Sequence, residues 1–146
     1  MGVSNCNIFY PLLTYEEARN EMLLQFFDEA ILRKGGTDTV TKINRRFQVH
    51  NDYLEVQHDK VFDHSPSALI EVFVILGQNL DIKGIRASTV RLIIEKRKLI
   101  DDDYRNDLRN TSLFMELIRS PHHLYSNLRR MKRYGILGQY LPEFGR

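Results

Sequence analysis

Between Ser65 and Asn79 the chain reads SPSALIEVFVILGQN, and this stretch restricts the possible folds more than any other. Serine followed by proline is a helix start: the serine caps, and the proline takes the first helical position, where its missing N–H has no partner to lose. On the helix that follows, Leu69, Val72, Phe73 and Leu76 make one face, and Ile70, Val74 and Ile75 make the remaining sides apolar as well. Such a helix is stable only when other elements surround it. It therefore has to be the centre of a domain, and the rest of the chain has to supply its walls.

Most of those walls read as helix. Thr14 with Glu17 three residues later has the spacing of a capping box, and it opens a first helix. That helix carries Ala18, Met22, Phe26 and Ala30 at four-residue spacing, widened by Leu23, Phe27 and Ile31, until Gly35-Gly36 stops it. Residues 37–44 are polar and turn-like. The period then changes to two: Phe47 and Val49, then Leu54 and Val56, flank Asn51-Asp52. A two-residue turn there sets Val49 opposite Leu54 and Phe47 opposite Val56 on one face, which predicts a β-hairpin over about 46–58. A lone hairpin is marginal in water, so its apolar face has to lie on the helices.

Beyond Gly84, residues Ala87 to Lys98 place Val90, Ile93 and Ile94 on one side and Arg91, Lys96 and Lys98 on the other. Asp101-Asp102-Asp103 suits the positive end of a following helix, whose stripe reads Leu108, Thr111, Met115 and Ile118, with Phe114 and Leu117 beside it. Ser120-Pro121 repeats the cap-plus-proline pattern and opens a fifth long helix with Leu124, Leu128 and Met131 inward and Gly135 just past its end. A short helical turn around Leu137 to Tyr140 precedes Pro142. The expected fold is mainly α, a bundle of five to six helices with one accessory hairpin. The expected organisation is a single helical domain over 14–146 after an unpatterned segment 1–13.

Composition narrows the function classes. Of 146 residues, 42% are hydrophobic and 27% charged, ordinary values for a globular chain and one well-sized core. The longest unbroken apolar run, Val72 to Leu76, is too short to span a bilayer, and no basic stretch followed by an apolar core opens the chain as a signal peptide does. Cys6 is the sole cysteine, so neither an internal disulfide nor a multi-thiolate zinc site is possible. A cytoplasmic protein is expected from these features. A net charge of +2 is too small for a dedicated nucleic-acid binder.

Four constellations invite a chemical reading. His58-Asp59 has the form of a hydrolase metal dipeptide, but such a site needs further ligands from other helices, whereas this one lies at the end of a strand with only His50, Asp63 and His64 close in sequence. Asp101-Asp102-Asp103 would need a phosphate-holding glycine loop upstream to serve nucleotidyl transfer, and the chain has none. His122-His123, adjacent in the first turn of the fifth helix, point about 100° apart. The basic cluster Arg129, Arg130, Lys132 and Arg133 is the strongest polar feature. It reads either as a solvated helix end placed well against the dipole or as an interaction surface for phosphate or an acidic partner. We assign no catalytic residue, no cofactor and no metal ligand; the basic cluster is the one candidate surface.

Five segments, taken together, have the look of a family. NEMLLQFFDEAIL (20–32), INRRFQVHNDYLEV (43–56), SPSALIEVF (65–73), GIRASTVRLI (84–93) and RRMKRYGILGQYLPEF (129–144) resemble, in order and spacing, the helical region of bifunctional PII uridylyltransferase/uridylyl-removing enzymes. The resemblance covers about Asn20 to Phe144. It implies a parent enzyme that transfers UMP from UTP to a PII signalling protein and hydrolyses it off again in response to glutamine. In that parent the nucleotidyltransferase domain, with its Mg and UTP, precedes this region, and the HD hydrolase domain, with its divalent metal, follows it. None of the family's catalytic residues maps onto this chain, so the resemblance implies a non-catalytic linker whose partners are the neighbouring domains and PII. The stop at Arg146 without a closing element is what a segment of a longer protein would show. The rival reading is a free-standing helical binding module that uses the basic end of the fifth helix on nucleic acid or an acidic protein.

Overall fold

The computed structural model describes residues 22–27, 30 and 38–145, and of the last two of these, 144 and 145, the backbone alone. The chain divides into two compact units, Met1–Asp38 and Thr39–Arg146. In the first, residues 22–27 are helical, as the four-residue stripe predicts. Its capping box at Thr14 and Glu17, its stop at Gly35-Gly36 and the boundary near residue 13 lie outside the described residues.

The second unit opens with a small sheet. Strands β1 (Val40–Lys42), β2 (Phe47–His50) and β3 (Tyr53–Val56) form an antiparallel meander, and β4 (Gly84–Ile85) adds parallel to β3. The hairpin has the register read from the sequence, Phe47 opposite Val56 and Val49 opposite Leu54. Its turn residues Asn51 and Asp52 both have positive φ, 52° and 71°, as a two-residue type I′ turn requires and as Asn and Asp tolerate better than most side chains. The single hairpin expected is thus a four-stranded sheet. Strand β1 falls inside a segment read as turn-like because all three of its side chains are exposed, so it carries no alternating burial pattern. What holds it is backbone: the Asn51 N–H donates to the Thr39 carbonyl and the Thr39 N–H donates to Asn51 Oδ1, both at 2.9 Å. Asn44 shapes the link to β2, its Oδ1 accepting from the N–H groups of Arg46 and Phe47.

Helix α1 (Val61–His64) buries Val61 and Phe62, the latter edge-on to Phe47. Helix α2 (Ala68–Gln78) is the central helix: every residue from Ala68 to Gly77 except Glu71 is buried. Glu71 is accommodated because Arg46 Nε and Nη2 donate to its two oxygens at 2.6 and 2.8 Å, tying the sheet to the central helix. The start differs in detail from the sequence expectation. Pro66 and Ser67 make a first tight turn in which Ala68 N–H donates to the Ser65 carbonyl, and no side chain caps the helix. Asn79 closes the other end, its backbone and side-chain N–H groups both donating to the Ile75 carbonyl.

Helix α3 (Ala87–Lys96) buries Thr89, Val90 and Ile93 against the sheet and α1, and Thr89 Oγ1 accepts from the Val56 N–H. Ile94, expected inward, is exposed. Arg97–Leu99 is a 3-10 turn rather than the last turn of α3. Asp101 caps α4 (Asp102–Asn106), its Oδ1 accepting from the Tyr104 N–H, and Asp107 caps α5 (Leu108–Arg119) by accepting from Arg109. One expected helix is therefore two. The face of α5 is also corrected: Asn110, Leu113, Phe114 and Leu117 turn inward, while Leu108, Thr111, Met115 and Ile118 face out.

Ser120 ends α5, its hydroxyl donating to the Glu116 carbonyl, so it is a C-terminal residue and not the cap of the next helix. Helix α6 (Leu124–Arg133) starts after His123, whose φ of 60° is left-handed. It packs on α2 through the fully buried Asn127 and Met131, and Asn127 Nδ2 donates to the Phe73 carbonyl. Gly135 ends it with φ 81°, the C′ glycine expected. Helix α7 (Ile136–Tyr140) and a 3-10 turn at Pro142–Gly145 complete the order. The fold is mainly α with an accessory sheet, and its core runs continuously from Phe47 and Leu54 through α2 to Leu117, Met131 and Ile136.

Candidate interaction surface

The basic cluster lies on the last two turns of α6. At 100° per residue, Lys132, Arg129, Arg133 and Arg130 follow one another around an arc opposite the buried Asn127 and Met131. They do not form a uniform solvated patch. Lys132 is exposed, whereas the three arginines are half-buried. The Arg129 guanidinium sits 5.4 Å from the centroid of the Tyr125 ring and that of Arg133 5.8 Å from the Tyr134 ring, distances at which a cation is attracted to an aromatic face. Arg130 turns toward Gly84 at the edge of the sheet. All four are already engaged in polar or ring contacts. The helix end also uses them: three cations in the last turn face the negative pole of the dipole.

The other constellations are placed apart. His58 and His64 have ring centroids 6.1 Å apart, but Asp63 is drawn off to Lys96 at 3.1 Å and His58 Nδ1 accepts from the Lys60 N–H. Asp101 to Asp103 cap and start α4, with Arg105 Nη1 on Asp102 at 2.6 Å. His122 and His123 lie in the link before α6. Among the described residues no three His, Cys, Asp or Glu side chains converge as a metal would need.

The structure adds a polar cluster absent from the sequence reading. On the sheet face away from Phe47 and Leu54, Gln48 donates to Glu55 Oε1 at 2.8 Å, Arg86 Nε lies 3.5 Å from Glu55 Oε2, and His50 Nδ1 lies 2.6 Å from Arg86 Nη1 and 3.2 Å from Glu55 Oε1. The hairpin register already places Gln48 opposite Glu55; Arg86 joins only because β4 adds to β3, a long-range pairing without a local signal.

Apolar surface is the other exposed feature. Within residues 22–27, Leu24, Phe26 and Phe27 are 61%, 61% and 66% exposed, with Met22 and Leu23 also open. On α5, Leu108 is 81% exposed and Met115 and Ile118 are open beside it. No helix among the described residues is long and apolar enough to cross a membrane.

Fold and surface together define a class: a mainly α domain with a small mixed sheet, a basic helix end and exposed apolar side chains at residues 22–27 and on α5. Residues 47–140 match the family described as the uridylyltransferase GlnD third domain. The chain belongs to the bifunctional uridylyltransferase/uridylyl-removing enzyme family. It is 53% identical over 94% of its length to the bifunctional uridylyltransferase/uridylyl-removing enzyme of Ectopseudomonas mendocina (strain ymp) and 52% identical over the same share to that of Pseudomonas fluorescens (strain SBW25). The Pseudomonas aeruginosa (strain LESB58) protein of that name is 47% identical, again over 94% of the chain. The chain spans 15% of the length of each of these relatives. No solved structure matches it.

Proposed function

We propose that this chain is the non-catalytic helical scaffold of an enzyme that uridylylates and deuridylylates PII, set between a nucleotidyltransferase domain and an HD hydrolase domain in the cytoplasm. The observation that carries the reading is the helix at 22–27, where five of six consecutive side chains are large, apolar and open to solvent. Exposed apolar area of that density marks a surface made to be covered by protein. Family membership supports it: the match is to a third domain, and it accounts for a small share of relatives named for two activities. In this reading Mg and UTP serve the transferase domain and a divalent metal serves the hydrolase domain. Among the described residues no three His, Cys, Asp or Glu side chains converge, and no chemical step is assigned to them. The basic end of α6, with Lys132 outermost, is a further contact surface for neighbouring domains or for PII.

The test is a graft. In the Ectopseudomonas mendocina relative, this chain replaces the matching segment, and Phe26→Glu and Phe27→Glu are introduced together. Both UMP transfer to PII and UMP removal are expected to fall at least tenfold, because a charge in an interdomain contact is costly to bury. Full activity of both kinds would overturn the proposal.

A further inference from the structure

Two runs of the chain that hold cations and no carboxylate meet at Gly84. From Leu117 to Pro142 the charged residues are Arg119, Arg129, Arg130, Lys132 and Arg133; from Ile82 to Ile94 they are Lys83, Arg86 and Arg91. The whole chain is nearly balanced, with 21 Lys and Arg against 19 Asp and Glu, so these runs are a local surplus. The helix dipole does not absorb it: about half a negative charge stands at the end of α6 against three cations in its last turn.

Gly84 is what lets the runs meet. It is buried on β4, and a Cβ there would stand 3.7 Å from Arg130 Nη2 and 3.9 Å from the Tyr53 ring. Alanine would fit, but a longer side chain would take the place of the Arg130 guanidinium. Arg86 follows two residues on, its N–H still paired with the Leu54 carbonyl. Strand alternation therefore puts Gly84 and Arg86 on one face, about 6.6 Å apart. Glu55 and His50 hold the Arg86 guanidinium across that face, at 3.5 and 2.6 Å.

We propose that Arg86 and Arg130 are the two sides of a site for a phosphate group, free or at the end of a nucleotide. The proposal gives a ligand to the contact surface at the end of α6, and it rests on that part of the reading above. Phosphate is selected among anions by the residues present. Both central cations are arginines, whose planar fork meets phosphate oxygens two at a time, whereas Lys83 stands 3.9 Å from Asp52 and Lys132 is outermost. Both are half-buried, which screens their charge less than that of an exposed cation. The gap between them is one glycine wide, enough for a single compact group. A phosphate monoester puts nearly two negative charges on such a group, where a carboxylate puts one.

The test is NMR titration of the 146-residue chain at constant ionic strength, read at the arginine Nε–Hε signals, with inorganic phosphate, UMP and uridine as probes. Saturable shifts at Arg86 and Arg130 are expected with phosphate and with UMP, and none with uridine. Arg130→Gln is expected to weaken phosphate binding about tenfold, and Arg130→Lys, which keeps the charge and loses the fork, by less. Arg109→Gln removes an equal charge from the exposed start of α5 and is expected to leave affinity within twofold. Tighter binding of UMP than of phosphate would assign the nucleotide as the source; equal binding would assign the phosphate group alone. No saturation by either probe would overturn the proposal, as would equal losses in Arg130→Gln and Arg109→Gln, or saturation only by an oligonucleotide or a polyglutamate peptide. The Phe26→Glu and Phe27→Glu graft is scored apart from this: loss of both activities there with no phosphate binding here keeps the interdomain role and removes the site.

Discussion

The contact between Arg46 and Glu71 is the clearest single-residue device in the fold, because it lets one carboxylate sit in an otherwise apolar helix. Both hydrogen bonds are charge-assisted and partly shielded, with side-chain exposures of 35% and 18%. Glu71→Ala is expected to destabilise the chain by about 1–2 kcal/mol in urea unfolding, since it leaves a half-buried guanidinium without its partner. The pair Arg46→Met with Glu71→Leu should recover most of that loss. Tyr104 gives a pH prediction. Burial raises its hydroxyl well above the ordinary tyrosine value; the group faces the Ile70 backbone yet reaches no partner at hydrogen-bonding geometry. The folded state thus holds this proton more tightly than the unfolded chain does. The stability it contributes is complete below pH ~10, where a free tyrosine ionises, and is lost as pH rises beyond that. Alkaline unfolding followed by tyrosinate absorbance should therefore lose steepness in Tyr104→Phe. At this scale legibility follows locality. Asn51-Asp52 and Gly135 could be read because their conformational demands are local, whereas Arg46 and Glu71 stand 25 residues apart and nothing local announces the pair.

Among the elements, α5 shows where periodicity runs out. Two apolar stripes share one helix, and the better hydropathy pattern, Leu108, Thr111, Met115 and Ile118, is the outer one. The inner stripe is disguised by Asn110, whose buried side chain donates to the Tyr104 carbonyl at 2.9 Å and so makes the break before α5. Leu117→Ala should cost about 2–4 kcal/mol, because the core closes around it, while Leu108→Ala should change stability by about 0.5 kcal/mol or less. Equal losses at the two positions in thermal or urea unfolding would return α5 to the face first read from the sequence. The hairpin was legible to the register, since its alternation and its turn agree. Strand β1 was not, because it is held through backbone and Asn51 rather than through buried side chains, and β4 is too short to carry any pattern.

For the whole molecule, the central position of α2 was the strongest sequence deduction, and it follows from a single physical fact: nine of its eleven residues are buried because almost none of them could be left in water. Periodicity and composition carry a mainly α domain and its polar clusters, and no more. The family came from the order of the five landmark segments, and similarity to relatives over nearly the whole chain establishes it. The scaffold role proposed above requires that this domain organise chemistry without performing it. Purified chain, incubated with PII, UTP and Mg, and separately with uridylylated PII and a divalent metal, tests that claim most directly. Neither label transfer nor UMP release is expected to rise above the protein-free blank. Turnover of either kind, abolished by substitution within these residues, would contradict it.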